Sequence, residues 1–286
     1  RYITEELKKI ENEILGSRVN QIYQPNRDEL VLVLRGYSGS KKLLLSARAN
    51  SPRVSFTEHA PENPTQPPMF CMLMRKHLLG SRIVEIEQIT GDRILAITFD
   101  CLDEMGYHVQ RTLYLEIMGR HSNLTLVSHE GIIIDAIRHV NSEMSRVRTV
   151  LPGGTYQLPP QPDKLTPDTL TPEALRERLA PLTCALTKGL MECVAGMASV
   201  CSKEVCAQIG IAAATPIPEL DLDVVVPKLC DFFVHLQPSP VTLYDDAGLA
   251  LDFFPFPYHT YTLENQKAMT TLSAAMGAQP CASLAA

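Results

Sequence analysis

The sequence predicts an α+β protein: an antiparallel β-rich domain followed by a helical one. Three observations predict it. Apolar and polar residues alternate in short runs as far as Val150, with turn residues at steady intervals. Residues 152–172, PGGTYQLPPQPDKLTPDTLTP, then place six prolines where neither a helix nor a central strand can run. Beyond them the apolar spacing changes to that of short helices.

The elements follow in order. Residues 4–15 predict a helix, with Thr4 as its cap, Glu5 and Glu6 at its positive end, and Leu7, Ile10 and Ile14 as one apolar stripe. Gly16 ends it. VNQIYQ, ELVLVLRGY, KKLLLSARA and RVSFTE read as strands, with turns at Pro25-Asn26-Arg27-Asp28 and Ser38-Gly39-Ser40. Pro67 and Pro68 lead into a helix, MFCMLMRKHLL, closed by Gly80. Its nearly continuous apolar content predicts burial, with Met69, Phe70, Met72 and Met74 in the core. Arg75, Lys76 and His77 suit its negative end. IVEIEQI, RILAITFD, YHVQRTLYLEIM, NLTLVSHE and GIIIDAIRHV continue an antiparallel meander. The pairs Tyr107-His108 and Tyr258-His259 read as surface strand residues.

The first domain is thus expected over 1–160 and the helical one over 165–235. Thr171-Pro172-Glu173 starts the helices; Pro181, Gly189, Gly196 and Gly210 punctuate them. VVVPKLCDFFVHL adds one more, kinked at Pro227 or begun there. Residues 238–262 read as a hairpin turning at Asp245-Asp246-Ala247-Gly248 and are expected to rejoin the first domain. Residues 263–286 begin a further region.

Composition excludes several function classes. No apolar run approaches the roughly 20 residues that span a bilayer. The opening RYITEELKKIENEIL is charged and amphipathic, unlike a secretory signal. The eight cysteines form no CxxC pair, which fits free thiols in a reducing cytoplasm and provides no zinc site. No phosphate loop, nucleophile elbow, HExxH or dinucleotide fingerprint occurs, so no cofactor, metal or catalytic residue is assigned. Net charge is −6, which argues against indiscriminate nucleic-acid binding. The charge is uneven, however. Residues 1–160 hold 19 Lys and Arg against 18 Asp and Glu, and the remainder holds 7 against 14. Only the first part can carry a basic patch.

Three stations there could meet phosphate. Gly119-Arg120-His121-Ser122-Asn123 separates two strands. Its glycine permits a bend, its Ser and Asn can hold a turn, and Arg120 and His121 would project from it. Asp92-Arg93 ends a tight turn where a strand begins. AIRHVNSEMSRVRTVLPGG is the most basic stretch, with Arg138, His139, Arg146 and Arg148 against Glu143. The residues alone leave ordinary solvated turns open at each station.

A family resemblance narrows this. QIYQPNRDELVLVLR, LLLSA, NPTQPPMFCMLMRKHLLG, IEQITGDRI, EIMGRHSNLTLV and RTVLPGGTYQLPP, in that order through about residue 160, resemble the NFACT family. Its bacterial members are often called fibronectin-binding protein A-like, and some act as ribosome quality-control factors. The resemblance implies a split antiparallel β-barrel similar to the amino-terminal domain of Fpg/Nei glycosylases, then a helix-hairpin-helix-like domain. It implies a non-catalytic, cytoplasmic role: binding the large ribosomal subunit that still carries peptidyl-tRNA, recruiting tRNA, alanyl-tRNA in bacteria, and supporting untemplated alanine tailing. The family's Asp-Arg pair falls on Asp92 and Arg93, and its EIMGRHSN motif on Glu116 to Asn123, with Arg120 and His121. Its arginine-rich approach to the LPG turn falls on Arg138, Arg146 and Arg148. Two features depart from the family. The segment preceding the first helix, with its own acidic residue, is not in this sequence. The helical hairpin offers only Gly196-Met197-Ala198 where a richer glycine turn is expected, so backbone N–H capture of phosphate is not expected there. Two other readings stand beside this one. Glycosylase chemistry needs a Pro-Glu start, and the sequence opens Arg-Tyr-Ile-Thr. Cell-surface adhesion to fibronectin is the alternative the family's older name suggests.

Overall fold

The computed structural model of the chain describes residues 2–58, 62–89, 93–160, 163–237 and 239–269, with side chains from Lys8 onward. It forms two compact units, Ile3–Pro160 and the chain from 161 on. Each is described by itself.

The first unit opens with α1 (Tyr2–Ile14). The helix begins ahead of Thr4, so Thr4 is not its cap. Ile10 and Ile14 are buried, as the stripe predicts. Nine antiparallel strands follow: β1 (Arg18–Asn26), β2 (Glu29–Gly36), β3 (Gly39–Ser46), β4 (Arg53–Phe56), β5 (Arg82–Gln88), β6 (Ile94–Leu102), β7 (His108–Glu116), β8 (Asn123–Ser128) and β9 (Ile133–Ala136). They form one sheet in the order β4-β3-β2-β1-β5-β6-β7-β8-β9. Every pairing but β1–β5 joins strands consecutive in sequence, which is the meander the turn spacing predicts. β1 and β5 share one register position, Arg18 with Arg82, and backbone hydrogen bonds between residues 16–19 and 80–83 complete this short junction.

Between β4 and β5 the chain forms α2 (Met69–Leu78), which packs against β1, β6 and β9. Phe70, Cys71, Met74 and Leu78 are its buried face, at helical spacing. Met69 is 70% and Met72 53% exposed, so the expectation that both belong to the core is corrected. An almost continuous apolar run hid the face that turns outward. Arg75 does more than suit the helix end. Its Nε donates to the Ile22 carbonyl at 2.8 Å and its guanidinium lies over the Tyr23 ring. The helix joins a core of Leu30, Leu32, Leu34, Leu43, Leu45, Ile97, Phe99 and Leu113 with the other sheet residues that face it. Each fully buried Leu or Ile stabilises by about 1.5–3 kcal/mol.

The second unit holds α3 (Pro172–Leu179), α4 (Leu186–Cys193), α5 (Ser199–Gln208) and α6 (Leu222–His235). Thr171 caps α3 by accepting from the Ala174 N–H, and Asp221 caps α6 through Asp223 N–H. Pro227 lies inside α6. A short turn, Val194 to Ala198, joins α4 to α5, with Gly196 at φ +77.

β10 (Val241–Tyr244), β11 (Ala250–Phe254) and β12 (Gln266–Ala268) form a separate three-stranded sheet, and its hairpin turns at Asp245, as predicted. This hairpin does not rejoin the first domain. Its Val241, Leu243, Phe254, Phe256 and Tyr258 pack with Cys201, Phe232 and Leu236 of the helical unit. Tyr258 is therefore buried, not a surface strand residue. Glu204 on α5 fixes the placement. Fully buried, it accepts from the backbone N–H groups of His259 and Thr260 at 2.8 and 2.9 Å and from Gln208 Nε2 at 2.6 Å.

Burial raises the Glu204 pKa, but these hydrogen bonds outweigh it and hold the carboxyl below its ordinary value of 4.5. The unfolded chain binds that proton more tightly. Glu204 therefore stabilises the unit above pH 4.5, and that contribution is lost as pH falls through the folded value. Glu204→Gln is expected to lower stability at neutral pH by about 1.5–3 kcal/mol. The difference from wild type should shrink below the ordinary carboxyl value, as read from denaturant melts across pH.

Seven of the eight cysteines fall among the described residues, and all seven are free. Burial raises the thiol pKa of Cys206 to about 11, which leaves it unreactive near neutrality.

Candidate nucleic-acid interface

Four of the sequence-predicted residues, Arg93, Arg120, His121 and Arg138, gather at one end of the β5–β9 half of the sheet. The registers make this so. Ile94 pairs with Glu116 and Glu116 with Asn123, so Arg93 and the loop after Glu116 share an end. The Ile117 N–H donates to the Arg93 carbonyl at 2.7 Å. The Arg93 side chain is exposed beside it. Asp92 lies outside the described residues.

Residues Gly119–His121 form a single 3-10 turn. Gly119 sits at φ +55, a left-handed value that favours glycine, and a Cβ there would come within 4.0 Å of the Ala49 carbonyl. Ser122 then locks the turn. Its Oγ donates to the Gly119 carbonyl at 2.7 Å and accepts from the Met118 N–H at 2.9 Å. Asn123 fastens it to the chain after β9. Its Nδ2 donates to the Arg138 carbonyl and its Oδ1 accepts from the Arg138 N–H. Both side chains are buried. Short polar residues were expected to hold this turn, and they do so while Arg120 and His121 remain exposed. Arg120 Nε donates to His121 Nε2 at 3.1 Å, so that ring nitrogen carries a lone pair. The remaining guanidinium N–H groups of Arg120 have no protein acceptor among the described residues.

The three arginines of the basic stretch separate. Arg146 is exposed and makes no ion pair among the described residues. Arg148 is 14% exposed and sealed against Glu116, which is fully buried. Its Nη1 also donates to the Gln157 carbonyl, and its guanidinium lies over the Tyr156 ring. Tyr156 donates to the other Glu116 oxygen at 3.1 Å and stacks on Tyr114. Burial pushes the Glu116 carboxyl up, while Arg148 and then Tyr156 pull it back. The expectation that Arg148 meets phosphate is therefore corrected. Its donors are already spent on a buried carboxylate and a carbonyl. Arg138 is 29% exposed. Its Nε and Nη2 reach Asp28 Oδ1 at 3.1 and 2.8 Å, and its Nη1 reaches the Arg120 carbonyl at 3.0 Å. His139 is exposed and holds Asp135 at 2.7 Å.

The end thus presents Arg93, Arg120 and His121 outward from a fixed β framework, and Arg146 is exposed in the stretch after β9. Guanidinium groups so placed can meet phosphate oxygens bidentately, and the imidazole can donate to phosphate or stack on a base. Among the described residues no group of three His, Cys, Asp or Glu is placed to hold a metal, and no helix is long and apolar enough to cross a membrane. Sequence reasoning missed Asp28, Tyr156 and Glu204. Each acts on residues far away in the chain, which local spacing does not record.

Comparisons with known proteins identify the family. The family model for NFACT N-terminal and middle domains matches residues 1–278. The chain is 38% identical over 212 residues to the Rqc2 homolog RqcH of Bacillus subtilis (strain 168), covering 74% of this chain and 37% of that protein. It therefore spans little more than a third of that relative's length. Among solved structures, the N-terminal part of the fibronectin/fibrinogen-binding protein from Streptococcus suis is similar at a TM-score of 0.76 and 33% identity, covering 96% of both chains. The fibrinogen binding protein from Staphylococcus aureus is similar at 0.75 and 28%, again over 96% of both. The chain belongs to the family of NFACT N-terminal and middle domains.

Proposed function

We propose that this chain is the RNA-contacting part of a cytoplasmic ribosome quality-control factor. It binds tRNA, alanyl-tRNA in particular, on a large ribosomal subunit obstructed by peptidyl-tRNA, and it supports untemplated alanine tailing of the stalled chain. The ribosome performs the peptidyl transfer, and this chain positions the tRNA without a catalytic residue, metal or cofactor of its own. The observation that carries the reading is the convergence of exposed Arg93, Arg120 and His121 at one sheet end, in a chain 38% identical to a protein named Rqc2 homolog RqcH. The nine-stranded sheet, whose two halves meet at the short β1–β5 junction, supports likeness to the split barrel of Fpg/Nei glycosylases, and the α4–α5 hairpin supports likeness to a helix-hairpin-helix.

A few cations on an acidic protein predict a specific and salt-sensitive complex. The logarithm of the tRNA affinity should fall linearly with that of salt concentration, by roughly 0.7–0.9 per phosphate contact. Arg93→Ala and Arg120→Ala should each lower that slope by about one contact. Unchanged slopes in both variants contradict the reading. Purifying the full-length protein from cells and sequencing the RNA that accompanies it tests the partner directly. Alanine tRNA and large-subunit ribosomal RNA are expected, and an RNA-free preparation counts against the proposal.

Binding to fibronectin is the second reading. It is favoured by the two solved neighbours, whose names state fibronectin or fibrinogen binding. Labelling the surface of intact cells distinguishes it, since an adhesin is labelled and a ribosome-bound factor is not.

A further inference from the structure

Arg138 looks in sequence like one more phosphate contact, but its guanidinium is engaged on both sides. One side carries Nε and Nη2, which both donate to Asp28 Oδ1. On the other, Nη1 donates to the carbonyl of Arg120, with the Ser122 carbonyl at 3.5 Å. Asp28 lies in the turn between β1 and β2, 110 residues away in sequence. That turn is itself firm. The Asp28 N–H donates to Asn26 Oδ1, its carbonyl accepts from the Ala47 N–H, and buried Glu29 holds Asn26 and Ser46. On its far side the Gly119 turn rests near the Ala49 carbonyl.

We propose that Asp28 and Arg138 are positioning residues. Asp28 orients the Arg138 guanidinium, Arg138 pins the Arg120 carbonyl, and the pinned turn aims the Arg120 side chain at the phosphate chain of the RNA. A carboxylate on a phosphate-binding face is otherwise unfavourable. Its place behind the arginine gives it a use that net charge alone does not. The inference rests on the tRNA reading above and adds two residues to it that would not touch RNA.

The test turns on a sign. Asp28→Asn removes one negative charge near the RNA and frees Arg138. If Arg138 were a direct phosphate contact, the variant would bind tRNA more tightly. If the two residues position Arg120, it binds more weakly, about threefold to tenfold at physiological salt, with the salt slope lowered by about one contact. The protein is the full-length chain, the probe an alanine tRNA transcript, and titrations run from 50 to 200 mM salt, as used for phosphate-contact counting. Arg138→Lys is the second variant. It keeps the charge and loses the fork, so a direct contact would largely survive and a clamp would not. Each change is repeated with Arg120→Ala, and melting temperatures are recorded throughout. The expected result is weaker binding in Asp28→Asn and Arg138→Lys, with no further loss once Arg120 is gone. Tighter or unchanged binding in Asp28→Asn, while Arg120→Ala weakens it, overturns the clamp and leaves the tRNA reading standing. A loss that persists in the Arg120→Ala background also overturns it, because general destabilisation would behave that way. No effect of Arg120→Ala overturns the tRNA reading and the clamp with it.

Discussion

Arg93→Ala is expected to abolish alanine tailing in the intact protein while leaving its fold unchanged. The two halves of that result have separate causes. Tailing fails because a guanidinium exposed at the sheet end is lost. Folding survives because the sheet uses the Arg93 carbonyl, which accepts from the Ile117 N–H whatever the side chain. Exposed positions of this kind change stability by about 0.5 kcal/mol or less. A ribosome-rescue assay that follows alanine addition, run beside a thermal melt, reads both halves. Retained tailing in Arg93→Ala contradicts the proposed function. Lost tailing with a large fall in melting temperature contradicts the claim that the side chain acts on the RNA.

Arg148→Met is expected to do the reverse, destabilising the first unit by about 3–5 kcal/mol. Arg148 neutralises a fully buried Glu116, and removing one member of such a pair leaves the other charged and dry. The pH dependence has a definite sign. Burial already raises the Glu116 pKa, and Arg148 is the largest influence opposing it. Without Arg148 the carboxyl rises further above its unfolded value of 4.5. A group raised in the folded state contributes stability below its unfolded pKa and loses it as pH rises through the folded one. The Arg148→Met deficit should therefore widen from pH 5 to pH 8, and Glu116→Gln combined with Arg148→Met should recover much of it. Denaturant melts across that range check both statements. A deficit independent of pH would mean that loss of Arg148 does not push the Glu116 carboxyl further above its unfolded value.

These two arginines also mark where the sequence stops being readable. The strands, their turns and the helices follow from contacts within a few residues, and alternation, Gly and Pro record those directly. The Gly119–Asn123 turn was legible for the same reason, since Ser122 bonds Gly119 three residues back. Arg138, Arg146 and Arg148 look alike in sequence. They differ because Glu116 lies 32 residues from Arg148 and Asp28 lies 110 from Arg138, while Arg146 pairs with no carboxylate among the described residues. Hairpin placement failed in the same way. The partner of His259 and Thr260 is Glu204, 55 and 56 residues earlier. In α2 the error came from content instead of distance. A run apolar on nearly all sides does not say which side faces water, and Met69 and Met72 were the exposed ones.

The central claim is that RNA lies against the sheet end that carries Arg93 and Arg120. Photo-crosslinking on stalled large subunits tests it most directly, with a photoreactive amino acid placed in the full-length protein at His121 or at Tyr107. Both positions are exposed, and they lie at opposite ends of β7, His121 in the turn beyond Glu116 and Tyr107 beside His108. The account predicts a tRNA adduct from position 121 and none from position 107. An adduct from 107 without one from 121 would contradict it.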